Sequence, residues 1–165
     1  MAERSLLRRS LLLGLAAALL AVGKAEPQQV VRIAPRGEPV AETRLLMQGI
    51  NMPNFHGLET LLQKKSLDTD AWTFARGQAL LIAESGNLLL LRPPRGQGRE
   101  AWFDAATDLR LTATRVARAT AGRDLNATKT AFAAVAASCN RCHETFRVKV
   151  RLQQPAGEDS RPPVP

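Results

Sequence analysis

The sequence predicts an all-α fold, an antiparallel up-down-up-down four-helix bundle, on three observations. Four stretches of about twenty residues carry apolar side chains at steps of three and four, the period of an amphipathic helix. No strand-like alternation persists in the 165 residues, and no internal repeat is present. The connections are short and rich in helix-stopping residues, which makes sequential helices antiparallel neighbours.

The first stretch runs from about Pro39 to Lys65. At about 100° per residue, Val40, Ile50, Phe55, Leu58, Leu61 and Leu62 gather within roughly 80° of Met47, the centre of the apolar face. His56 falls about 180° from Met47 and Met52 about 140° from it, both toward water. Pro53 removes one helical hydrogen bond and can bend the helix enough to rotate the residues after it. The second stretch, about Thr69 to Leu91, is opened by Asp68 or Thr69 and carries Trp72, Ala75, Ala79, Ile82 and Leu89 on one side. Its end, Leu88 to Leu91, is apolar all round and is expected to be largely buried. The segment Arg92 to Gly98 (RPPRGQG) stops it.

The third stretch, about Glu100 to Thr120, presents Trp102, Ala106, Leu109, Leu111, Val116 and Ala117. Trp72 and Trp102 read as core aromatics packing between helices. After Ala121-Gly122 the fourth stretch begins, capped by Asp124 or Asn126. Its stripe runs Phe132, Val135, Ala136, Cys139, Cys142, His143, Phe146 and Val150, and fraying is expected at Gln153 to Pro155. Arg141 and Glu144 read as an exposed ion pair of little energetic weight.

Residues 1–25 have a basic head (Arg4, Arg8, Arg9), an apolar run from Leu11 to Val22 and small residues at Gly23 and Ala25, the layout of a cleaved secretory signal peptide. The apolar run is too short to span a bilayer comfortably, so no stable membrane insertion is expected after cleavage. An extended lead-in (26–38), one bundle domain (39–152) and a disordered tail (153–165) are expected after it, the tail having almost nothing to bury. Export is expected to place the mature chain in the periplasm.

The whole chain carries net charge +8; without the leader, nineteen basic against fourteen acidic residues leave +5. These charges are scattered, without a basic run or interleaved aromatics, which argues against nucleic acid as a partner. An acidic redox partner suits the excess.

The chemistry is concentrated in Cys139-Asn140-Arg141-Cys142-His143. Two thiols three positions apart and an adjacent imidazole are the arrangement for covalent attachment of one haem c. Each sulfur forms a thioether to one vinyl group, and the histidine offers a ring nitrogen to iron. On a helix Cys139 and His143 are i and i+4 and share a face. Structural zinc wants four ligands, and the chain has two cysteines. A disulfide between helical residues three apart is strained. A thioredoxin-like pair needs a preceding strand, which the sequence does not offer.

With these residues in place, the chain resembles the class II cytochrome c family, of cytochrome c′ and cytochrome c-556 type, over roughly Pro39 to Val148. The most specific part is Ala137-Ser138-Cys139-Asn140-Arg141-Cys142-His143-Glu144-Thr145-Phe146-Arg147, with attachment near the C-terminus. Glu100-Ala101-Trp102 and Leu45-Leu46-Met47 are weaker echoes. Two features depart from the family: Pro53 interrupts a first helix that is usually continuous, and the connection after the second helix is shorter than in many relatives.

The resemblance implies that Arg147 lies beside the haem on the His143 side and that two bundles can pair through their first helices as a homodimer. It also divides the functional readings. A methionine from the first helix, here Met47, implies six-coordinate iron and an electron carrier between periplasmic redox partner proteins. An apolar residue there implies a five-coordinate site for nitric oxide or carbon monoxide. Met47 reaches the same position by periodicity alone, whereas His56 and Met52 point away. Arg44, next to the Met47 face, can pair with a propionate or stay solvated. The inward face of the first helix supplies no distal acid or base, so no enzymatic activity is expected.

Overall fold

The computed structural model describes residues 37–153. The expected signal peptide, all but the last two residues of the lead-in and all but the first residue of the tail lie outside them. The described residues form four helices and no strand, and none of these helices is long and apolar enough to cross a membrane. Helix α1 is built of three consecutive segments, Thr43–Leu46, Met47–Asn51 and Met52–Leu62. Helix α2 is Thr69–Leu90, α3 is Arg99–Ala121 and α4 is Leu125–Thr145.

Of the alternatives at the starts of α2 and α4, Asp68 or Thr69 and Asp124 or Asn126, the two aspartates are the caps. Asp68 accepts from the Ala71 amide at 2.8 Å and Asp124 from the Ala127 amide at 2.9 Å, each satisfying one of the free donors of a first turn. At the start of α1 the sequence expectation needs correction. The helix begins at Thr43, not near Pro39, and Val40 is 96% exposed. No side chain caps this end, and the chain before it is extended.

Pro53 has a different effect from a simple bend. Its ring has no N–H for the Gly49 carbonyl and crowds that same group. The turn before it widens into a π-helical segment, Met47–Asn51, closed by the Met52 amide donating to the Met47 carbonyl. Asn54 donates from its side chain to the Ile50 carbonyl at 2.6 Å. Closing the ring at the fifth residue brings Met52 round toward the face that holds Met47. Leu46 and Phe55, nine positions apart and on opposite sides of a regular α-helix, are both buried as a result.

Consecutive helices pack against one another, and α1 also touches α4. The core takes Leu46, Phe55, Leu58 and Leu62 from α1, Ile82 and Leu89 from α2, Leu109 and Val116 from α3, and Phe132 and Val135 from α4. Small residues let α2 and α3 approach closely: a Cβ on Gly86 would lie 2.9 Å from the Ala106 carbonyl oxygen. The buried hydroxyls of Thr112 and Thr120 are satisfied within α3, on the Asp108 and Ala117 carbonyls. The run Leu88 to Leu91 is only partly inside: Leu89 is buried, whereas Leu91 is 44% exposed.

Candidate functional site

Helix α4 stops before its apolar stripe does. Arg147 adopts a left-handed backbone (φ 56), the Arg147 amide donates to the Glu144 carbonyl and the Val148 amide to the His143 carbonyl at 2.7 Å. That bond pattern is the Schellman termination, made here without glycine. Sequence periodicity carries the helix through Val150; instead the chain reverses at Arg147 and returns along the last turns of α4.

The returning segment is pinned at four points. Asn140 donates from Nδ2 to the Leu152 carbonyl and accepts at Oδ1 from the Leu152 amide, both at 2.9 Å. Arg151 donates to the Asn140 carbonyl at 2.9 Å. His143 Nδ1 lies 2.9 Å from the Val150 carbonyl oxygen, and since a carbonyl only accepts, this nitrogen carries the hydrogen. The lone pair of Nε2 is thereby left for a metal, the arrangement that fixes tautomer and ring orientation in histidine ligands. Val148, Val150 and Leu152 turn to one side and Lys149 and Arg151 to solvent, a two-residue period that a helical reading of Val150 misses.

A cavity of about 550 Å³ lies beneath this segment. It gathers Cys139, Cys142 and His143 from α4 with Met47 and Met52 from α1, and Phe55, Ile82, Leu89 and Leu109 make apolar walls. Met52, expected toward water, is therefore at the site, because the π-helical turn rotates it there. His56 is not: its side chain is 57% exposed and pairs with Glu59 at 3.2 Å. Arg147 is exposed at the chain reversal and is not part of the lining, whereas Arg44 is both exposed and part of it.

Trp102 packs against the core as expected and also lines the cavity. Its Nε1–H donates to the Leu89 carbonyl at 2.7 Å and its ring meets Phe146 edge-on, with centroids 5.2 Å apart. Arg141 pairs with Asp108 of α3, not with Glu144, whose nearest basic partner is Arg151 at 3.9 Å. Sequence reasoning alone does not single out Asn51, Val148 or Leu152 as site residues, and it reaches Val150 only as a helical stripe position and Ser138 only as a neighbour of Cys139. The i, i+4 relation of Asn51 to Met47 is the signal that could have found the first of these.

Both cysteines are free thiols. Burial, with the neighbouring Cys142 adding to it, pushes the Cys139 thiol up from 9.0 to about 12, and burial raises Cys142 as well. Neither is a thiolate at neutral pH, so this pair is poorly suited to thiol redox exchange. Among the described residues, no group of three or more His, Cys, Asp or Glu is placed to hold a metal ion.

The donor set does fit a haem. Apolar walls, two protonated thiols, an imidazole with a fixed tautomer and thioethers from another helix meet in one cavity. The Ser138 hydroxyl, 2% exposed beside Cys139, has no hydrogen-bond partner and also lines it. An unpaired buried hydroxyl at a cavity wall marks a place where a ligand group is accommodated. No curated protein matches the chain. Residues 97–147, which hold α3 and the thiol and imidazole positions of α4, match the family model described as Cytochrome C′, so over this part the chain is similar to that family.

Proposed function

We propose that this chain is an exported electron carrier, an up-down-up-down bundle holding one haem c through thioethers at Cys139 and Cys142, with His143 and Met47 as axial ligands. The observation that carries the reading is that α1 and α4 deliver these four side chains to one cavity. A bound haem supplies a one-electron ferrous/ferric couple. The protein's part is to hold it still: His143 keeps its orientation through Val150, and the apolar walls exclude water and favour the state of lower charge. A thioether ligand such as Met47 also favours ferrous iron and raises the potential. No acid or base is added by the residues of this cavity beyond those already assigned, so the proposed role is transfer rather than catalysis. The proposed partners are periplasmic redox proteins, met through a mature chain of net charge +5.

Absorption spectra of the purified holoprotein test this directly. The expected result is a thioether-to-iron band at the red end for the ferric form and no carbon monoxide uptake by the ferrous form. Met47→Ala should abolish the band and admit carbon monoxide. Ready carbon monoxide binding by the unaltered protein would favour the five-coordinate, gas-binding reading instead. Loss of the band in Met52→Ala but not in Met47→Ala would move the axial role to Met52.

A further inference from the structure

We infer that Asn51 and Ser85 form a positioning pair for the Met47 sulfur, which sets how firmly that thioether stays on iron. The inference rests on the reading of Met47 as an axial ligand and adds residues from two helices to it. Asn51 donates from Nδ2 to Met47 Sδ at 3.0 Å, and its Oδ1 accepts from the Ser85 hydroxyl at 2.6 Å. Asn51 is half-buried and lines the cavity, and Ser85 is 1% exposed.

The direction of this relay is set at its sulfur end, because a thioether has no hydrogen to donate. Serine has one hydroxyl hydrogen and two acceptors in reach, Asn51 Oδ1 and the Ile82 carbonyl at 2.7 Å. Donated to Asn51, the hydrogen fixes the amide with its NH₂ toward the sulfur. Donated to Ile82, it leaves the serine oxygen to accept from a turned amide, whose carbonyl oxygen would then face the sulfur and repel it. The sulfur only accepts, so it is Met47 that holds the amide with its NH₂ inward, and Ser85 locks that orientation by donating to Oδ1. It is itself immobile, because it precedes Gly86, where α2 lies against the α3 backbone with only 2.9 Å from an ideal Cβ to the Ala106 oxygen.

The same geometry has an electronic consequence. A hydrogen bond to one lone pair of the thioether leaves the other for a metal, withdraws density from sulfur and so favours the ferrous state. It also keeps the side chain in the rotamer that faces the cavity. The π-helical turn is part of the device, since Met47 and Asn51 are its first and last residues and Pro53 enforces it.

The test is imidazole titration of the ferric holoprotein, together with its midpoint potential, for the unaltered protein and for Asn51→Leu and Ser85→Ala. Loss of one hydrogen bond of ordinary strength predicts displacement of the thioether at about 5- to 10-fold lower imidazole concentration in Asn51→Leu, with a smaller change of the same sign in Ser85→Ala. The potential should fall in both, and the denaturation midpoint should change little, which separates ligand positioning from general loosening. Imidazole affinity and potential equal to those of the unaltered protein in Asn51→Leu, with the thioether band still lost in Met47→Ala, would overturn the pair while leaving Met47 as ligand. Absence of the thioether band in the unaltered protein would overturn both together.

Discussion

Cys139→Ala/Cys142→Ala protein, matured in a host that builds c-type cytochromes, is expected to run at its bare polypeptide mass and to show no haem stain on a denaturing gel. The chain has two cysteines and both line the same cavity, so no other side chain can form a thioether bond to a vinyl group. Each single alanine variant should keep one thioether and retain colour through denaturation at reduced yield. The effect reaches beyond attachment. A covalently attached haem stays on the unfolded chain, so it stabilises the native state through the apolar contacts it makes only when buried in the cavity. The double variant should therefore unfold at lower denaturant than the holoprotein. Covalent colour surviving in the double variant would show that these thiols are not the point of attachment.

Phe132→Ala is expected to cost about 3–5 kcal/mol of holoprotein stability, measured by urea unfolding followed at both the haem band and the helical signal. Phe132 is 0% exposed on α4, and its ring centroid lies 4.5 Å from that of Phe55 on α1, tilted by 37°. This contact fastens the helix that carries Met47 to the helix that carries His143. Typical domains have about 5–15 kcal/mol in total, so the loss is a large fraction of the stability. Because Phe55 also lines the cavity, the axial band should weaken before global unfolding. A cost below about 1 kcal/mol would mean that the cavity collapses around the alanine, and that α1 is held to α4 by other contacts.

The helices are legible in the sequence where local rules act alone. The starts of α2 and α4 are legible to within one or two residues, with Asp68 and Asp124 proving to be the caps, and the step of three and four finds the buried faces of α2 and α3 except at Leu111, which is 49% exposed because it lies two positions, about 200°, from the buried Leu109. The grouping of Cys139, Cys142 and His143 at one cavity is legible for the same reason, since i, i+3 and i+4 spacing puts them on one side of a helix. Misreadings cluster where the backbone changes period. A uniform 100° per residue sends Met52 to water, whereas the turn widened by Pro53 delivers it to the cavity. The stripe ending at Val150 looks helical only because one apolar residue fits either period; a left-handed Arg147 turns the segment into a strap whose alternate residues face inward. Arg141 pairs with Asp108 on another helix rather than Glu144 on its own, and nothing in the sequence ranks those partners.

The central claim is that one porphyrin is covalently fixed to α4 through its two thiols. The most direct measurement is the intact mass and absorbance of the fully denatured chain, purified from a host competent to attach haem. The account predicts one polypeptide plus one haem, with Soret absorbance persisting in denaturant. A chain at polypeptide mass alone, colourless once unfolded, would contradict it and leave a helical bundle with an unassigned apolar cavity.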